Sequence, residues 1–199
     1  MTIIDYGMGN IGSIVNMLKK VGIKSETTNL PMELLEAKKI ILPGVGAFDN
    51  AMEKLNSLGF SDVIRKKAED GTPILGICLG MQLLGTSSEE GIMPGLNLIP
   101  AKIRKFQPVD KLRVPHMGWN MVHAIDKEMY KGLEENKFYF VHSYYFDPEE
   151  DKDISGVTDY GIRFTSSVRR KNVQGAQFHP EKSHKFGMQF LRNFSDLQK

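Results

Sequence analysis

Cys78 is the only cysteine in the chain, and it stands in Gly76-Ile77-Cys78-Leu79-Gly80. A nucleophile between two glycines has the form of a nucleophile elbow, with sulfur in place of a hydroxyl. The reason is steric. A sharp strand-to-helix turn forces its tip residue into a strained backbone conformation, and flanking glycines let strand and helix pass without Cβ clashes. The helix that follows aims its positive end at the sulfur, which favours thiolate over thiol. A lone cysteine is otherwise most often a buried structural thiol. Its place at the tip of a strand–turn–helix favours the nucleophile.

Such a nucleophile needs a base, and the base needs an acceptor to orient it. Five histidines are available. His179 lies in Gln177-Phe178-His179-Pro180-Glu181, at the expected end of an apolar strand. Residues i and i+2 of an extended chain share a side, so His179 and Glu181 can converge. A strand-end His beside a Glu is usually a surface pair; joined to the Cys78 elbow it becomes a candidate Cys-His-Glu triad. His116 in a turn, His123 on a strand face and His184 in the first turn of the last helix read as structural or solvated. His142, before Ser143-Tyr144-Tyr145, reads as a cleft residue. No histidine pair has metal-ligand spacing with an acidic third partner, so no metal is expected.

These groups need elements to carry them. Thr2–Tyr6, 24–28, 39–42 and 73–77 read as short buried strands. Helical spacing of Ile11, Ile14, Val15, Leu18 and Val21 fills the first gap, and helices are expected over 32–37, 49–58, 61–69 and 79–85. Strands alternating with helices imply right-handed βαβ units and a parallel sheet. The second half reads as strands at 101–106, 118–123, 138–143, 154–158, 165–169 and 174–179, joined by turns, then a helix over 183–194. Antiparallel additions are expected there. The expected fold is a single-domain, doubly wound α/β sandwich with a mixed, mainly parallel sheet of flavodoxin-like type, spanning 1–199. Pro43-Gly44-Val45-Gly46 closes the third strand at the same sheet edge as Cys78. Ligands bind beyond the carboxyl ends of parallel strands. Backbone N–H groups freed by glycine there, with the N–H of Leu79, could hold an oxyanion.

The chain has 199 residues, 41% hydrophobic and 25% charged, with 26 Lys and Arg against 24 Asp and Glu. That is ordinary for a globular domain and excludes a disordered chain, a collagen and a disulfide scaffold. A formal charge of +2 gives no electrostatic footprint for nucleic acid. No apolar run approaches the ~20 residues that span a bilayer. The first residues lack the pattern of a secretory signal, so a cytoplasmic protein without membrane partners is expected. Gly7-Met8-Gly9-Asn10-Ile11-Gly12 is a literal G-x-G-x-x-G after the first strand, with Glu26 near where a ribose-binding acid falls. It is a dinucleotide-binding reading of lower rank, since it leaves the Cys-His-Glu set unexplained.

Gly76–Gln82 together with Gln177–Glu181 resemble the class I (triad) glutamine amidotransferases. Asp5–Asn10, Pro43–Phe48, Pro115–Asn120 and His142–Tyr145 resemble the HisH-type branch, the glutaminase subunits of imidazole glycerol phosphate synthase. The resemblance implies hydrolysis of L-glutamine through a cysteinyl thioester on Cys78, with His179 and Glu181 as its partners and no cofactor. It implies an oxyanion hole from Val45, Gly46 and Leu79, and substrate contacts from Gln82, Glu90 and the backbone around Ser143, Tyr144 and Tyr145. It implies a heterodimer with a HisF-like (β/α)₈ cyclase that receives the ammonia, with the 7–12 loop toward that partner. Asn10, Met117, Trp119, Tyr139 and Lys182 fall near the implied junction; ordinary core is an equal reading for Met117 and Trp119. The stretches 181–188 and 160–170 look more like HisH-like paralogues that supply ammonia for amidination of a surface sugar, the alternative acceptor.

Overall fold

A strand covered on both faces has no polar side, and four segments of this chain are of that kind. Thr-Ile-Ile, Ile-Ile-Leu, Ile-Leu-Gly-Ile and Val-Gln-Gly-Ala are buried at every position. The computed structural model describes residues 1–107 and 113–197. Its first half runs β1 (Thr2–Ile4), α1 (Ile11–Lys20), β2 (Glu26–Thr28), α2 (Pro31–Leu34), β3 (Ile40–Leu42), α3 (Phe48–Ser57), α4 (Phe60–Glu69), β4 (Ile74–Ile77) and α5 (Leu79–Leu83). Then come β5 (Ser87–Ser88), β6 (Ala101–Lys105), β7 (His116–Met121), β8 (His123–Ala124), β9 (Lys137–His142), β10 (Tyr144–Pro148), β11 (Ile154–Tyr160), β12 (Ile162–Arg170), β13 (Val173–Ala176) and α6 (His184–Asp196). Short 3₁₀ turns cover Asp151–Asp153 and Pro180–Lys182.

The main sheet is ordered β2-β1-β3-β4-β13-β12-β10-β6-β5. From β2 to β13 every pairing is parallel; β12, β10 and β6 add antiparallel, and β5 pairs parallel with β6. The mixed, mainly parallel sheet expected from the sequence is present. Alternation along each strand divides the core. Ile4, Ile40 and Leu42 face one cluster with Phe48, Met52, Leu55, Phe60 and Ile64 of α3 and α4. Ile3 and Ile41 face the other, with Leu18 of α1 and Phe190, Leu191 and Phe194 of α6. β7 and β9 form a separate antiparallel ribbon, and Phe138 and Phe140 of β9 root it in that second cluster.

Several expected boundaries move. The segment expected as one strand at 118–123 is split: Val122 is buried between β7 in the ribbon and β8, which pairs with β11. β10 was not expected, because its partner β6 lies about 40 residues away and leaves no local signal. α2 ends at Leu34 and α5 at Leu83, each shorter than expected. β13 stops at Ala176, so His179 is not on a strand. Three neighbouring parallel strands, β3, β4 and β13, thus deliver their carboxyl ends to one edge, with β1 at the centre of the reversal in strand order.

Candidate active site

Cys78 sits between β4 and α5 with φ 54° and ψ −111°, a conformation that non-glycine residues rarely hold. Three glycines make it possible. A Cβ on Gly80 would lie 1.9 Å from the Leu42 carbonyl oxygen, one on Gly76 2.5 Å from the Gly80 oxygen, and one on Gly44 2.6 Å from the Gly80 nitrogen. The chain therefore turns backbone against backbone. Cys78 N–H donates to the Ala176 carbonyl at 2.8 Å, tying the tip to β13. Leu79 opens α5, so its N–H has no acceptor within the helix. Tyr6, deeply buried, donates its hydroxyl to the Pro43 carbonyl at 2.9 Å and fixes the turn after β3. Burial, and next the charge of Cys78, raise the Tyr6 phenol well above its ordinary value.

His179 follows Phe178, which is fully buried and stacked on Phe138 at 3.9 Å. Its Nδ1 lies 2.7 Å from Glu181 Oε1, and both side chains are 2% exposed. The expected convergence is there, but through a turn: Pro180–Lys182 is 3₁₀, and the carboxylate reaches back to the ring. Burial works against a charged imidazole, yet Cys78 and Glu181 outweigh it and raise His179 to about 10. His179 Nε2 and Glu181 Oε2 are buried without a hydrogen-bond partner in the resting site. Contacts of this kind tighten when substrate arrives.

A cavity of about 340 Å³ joins these groups. Val45, Gly46, Cys78, Leu79, Gln82, Glu90, Ser143, Tyr144, His179 and Lys182 line it. Gln82 donates Nε2–H to the Tyr144 carbonyl and to Gln177 Oε1, each at 3.1 Å. Glu90 Oε2 accepts the Phe48 N–H at 2.9 Å, and burial raises this carboxyl above its usual range. Tyr145 does not join the lining. It is the next residue along β10 from Tyr144, so it turns to the other face, where its ring packs on Phe106 at 4.9 Å. Among the described residues, no group of three or more His, Cys, Asp or Glu converges as a metal site.

Met117, Trp119 and Tyr139 lie on the β7–β9 ribbon, with Lys182 beside Tyr139. Trp119 and Tyr139 are cross-strand partners with rings 6.2 Å apart, and Lys182 Nζ lies 5.8 Å from the Tyr139 ring centroid. Met117 is 61% and Trp119 40% exposed, so neither is core. His184, at φ 48°, stacks on Trp119 at 5.5 Å. Asn10 is exposed, one residue before α1.

Three features were not read from the sequence. His142 Nδ1 is 2.7 Å from the Tyr144 carbonyl, so it carries the proton and its Nε2 accepts. That nitrogen is 3.0 Å from His116 Nδ1, which must donate, leaving His116 Nε2 to accept from Asn120. Both rings are therefore neutral, in keeping with burial, which lowers His116 to about 4 and His142 to about 3. Ser183 is buried at the start of α6. Its Oγ–H donates to the His179 carbonyl at 2.6 Å and its oxygen accepts the Tyr139 N–H at 3.0 Å, while His179 N–H donates to the Tyr139 carbonyl at 2.9 Å. Gln177 is the third. A polar side chain among apolar neighbours two residues before His179 was the available signal.

Residues 2–197 match the family described as Glutamine amidotransferase class-I. "Imidazole glycerol phosphate synthase subunit HisH 2" of Methanococcus maripaludis is 52% identical over 98% of both chains. The protein of the same name from Pseudomonas aeruginosa is 48% identical over 99% of both. "Imidazole glycerol phosphate synthase subunit HisH" of Bdellovibrio bacteriovorus is 44% identical over 98% of both. Among solved structures, a glutamine amidotransferase superimposes with a TM-score of 0.75 at 19% identity, covering 98% of each chain. The PurLQS structure from Thermotoga maritima gives 0.73 at 16% identity, covering 98% of this chain and 96% of that one. These last two likenesses concern the fold. Sequence and fold agree: the chain belongs to the class I glutamine amidotransferases, in the family of the HisH subunits of imidazole glycerol phosphate synthase.

Proposed function

We propose that this chain is a glutaminase subunit that hydrolyses L-glutamine to glutamate and ammonia. The observation that carries the reading is a strained Cys78 and His179 lining one cavity, with buried Glu181 behind the imidazole. The Cys78 thiolate attacks the side-chain amide carbon of glutamine. The oxyanion that forms is held by backbone N–H groups of Val45, Gly46 and Leu79. Imidazolium His179 gives its Nε2 proton to the departing ammonia, leaving a thioester. Neutral His179 then takes a proton from water, whose oxygen attacks the thioester, and glutamate leaves as the thiolate re-forms. Glu181 keeps the ring oriented throughout. Glu90 meets the substrate ammonium, with Gln82 and the Ser143–Tyr145 backbone at the same end of the molecule.

The ammonia goes to a HisF-like (β/α)₈ cyclase held as a heterodimer, for formation of imidazole glycerol phosphate and AICAR in histidine biosynthesis. The names and full-length coverage of the relatives support this acceptor. Nothing in them supports a surface-sugar acceptor or dinucleotide binding at Gly7–Gly12. The exposed Met117, Trp119 and Lys182, with half-buried Tyr139, form the docking surface, as aromatic and Met residues do in interfaces, with Asn10 at its edge. The 1–199 chain works as one domain in the cytoplasm; among the described residues no helix is long and apolar enough to cross a membrane.

The test is an electrophilic glutamine analogue with the cyclase complex. It labels Cys78, and Cys78→Ala abolishes both labelling and glutamate release. Full ammonia production by the Cys78→Ala complex would overturn the mechanism.

A further inference from the structure

Gln177 is fully buried, and the reaction as written does not use it. Its carboxamide nonetheless bridges two members of the site. Oε1 accepts from Gln82 Nε2 at 3.1 Å, and Nε2 lies 3.9 Å from Cys78 Sγ. The orientation follows from a fixed point. The Tyr144 carbonyl can only accept, so Gln82 turns its NH₂ end there. That NH₂ has one more hydrogen, and Gln177 must answer it with oxygen. The NH₂ end of Gln177 is then left facing the sulfur. Through two side chains, one backbone carbonyl dictates that Cys78 meets an N–H and not an oxygen.

Apart from the base His179, a further polar neighbour of Sγ is the Val141 carbonyl, at 3.8 Å. It accepts from a thiol and repels a thiolate. Gln177 does the reverse, since an N–H donor is strengthened when its acceptor carries charge. The two neighbours therefore respond oppositely to the loss of the sulfur proton.

We propose that Gln177 is a positioning residue for the nucleophile: its carboxamide clamps Gln82 at the substrate-binding end and donates to the Cys78 thiolate, setting how readily the sulfur ionises. The proposal rests on the glutaminase reading and extends it to the charge state of its nucleophile.

The test is alkylation of the full chain by iodoacetamide across pH. With a single cysteine, the label reports one site. Gln177→Leu and the unbranched Gln177→Met remove the donor without adding charge, and either suffices if the other fails to fold. The expected result is a rise of about one unit in the alkylation midpoint, about tenfold slower labelling below both midpoints. In the cyclase complex, the KM for glutamine rises and kcat falls, because clamp and donor are lost together. Gln174→Leu removes another buried amide from the same segment and leaves the midpoint in place. An unchanged midpoint in the Gln177 variants, or an equal shift in Gln174→Leu, overturns the proposal. A wild-type complex that releases no glutamate, with the midpoint shift intact, overturns the glutaminase reading instead.

Discussion

Gly80→Ala tests whether backbone contact holds the elbow. The added Cβ would lie 1.9 Å from the Leu42 oxygen, whereas real Cβ contacts are not found below 3.0 Å. The strand end and the helix must therefore part by about 1.1 Å. Neither side yields easily: β3 is paired on both edges, by β1 and β4, and α5 is pressed against Gly76 from behind. Overpacking of this kind costs ~1–3 kcal/mol, and two rigid partners place it at the upper end. For a chain of this length, each kcal/mol moves Tm by about 2–4 °C, so a loss of roughly 6–12 °C is expected. A displacement near 1 Å between nucleophile and oxyanion donors also lowers turnover by about 10²-fold. Calorimetric melting and glutamate release with the cyclase partner measure both. Gly12→Ala is the control: it lies in α1 with nothing within 4 Å of the added carbon, and should stabilise by ~0.5–1 kcal/mol. If Gly80→Ala melts within about 2 °C of the parent and keeps its turnover, the steric reasoning is wrong.

Three further variants test other parts of the site. Glu181→Gln removes the charge that helps raise His179 to about 10. A raised histidine stabilises fully below its ordinary 6.5 and less as pH climbs through about 10, so urea melts should show the parent's advantage at pH 6 shrinking toward pH 10; a constant gap would contradict this. The same variant should lose ~10²–10⁴-fold in glutamate release. Glu90→Gln keeps an oxygen for the Phe48 N–H and loses only charge, so steady-state kinetics should give a KM for glutamine at least ~tenfold higher with kcat nearly unchanged; an unaltered KM would remove Glu90 from the ammonium site. Trp119→Ala should weaken cyclase binding by ~30-fold in titration calorimetry while costing the isolated chain only about 2–4 °C in melting, as its contacts with Tyr139 and His184 are lost; undiminished affinity would move the docking surface elsewhere.

What was legible in the sequence was what is local. Glycine spacing around Cys78 announces the turn because the contact needing it spans only a few residues. Buried runs such as Ile40–Leu42 read as strands because both faces are covered. The His179–Glu181 pairing was read correctly from the wrong geometry, since a proline-led 3₁₀ turn can close the same distance as an extended chain. The polar groups behind the site were not legible. Gln177, Gln82 and Tyr144 meet only when the chain after β13, helix α5 and strand β10 are brought together, with β12 standing between β13 and β10 in the sheet. His116 and His142 meet only because β7 and β9 leave the main sheet as a ribbon. Tyr145 fails as a cavity residue for the complementary reason: it follows Tyr144 in sequence, but its side chain turns to the other face of the strand.

Ser183 gives the site a mechanical character. A serine at a helix start ordinarily lends its oxygen to that helix's own amides; this one makes no such bond and fastens Tyr139 to the backbone of His179. Three hydrogen bonds join Tyr139 of the ribbon, Ser183 and the His179 backbone. Tyr139, on the ribbon, and the backbone that carries the proton donor therefore share one small hydrogen-bonded ring, and the geometry of one is tied to the geometry of the other.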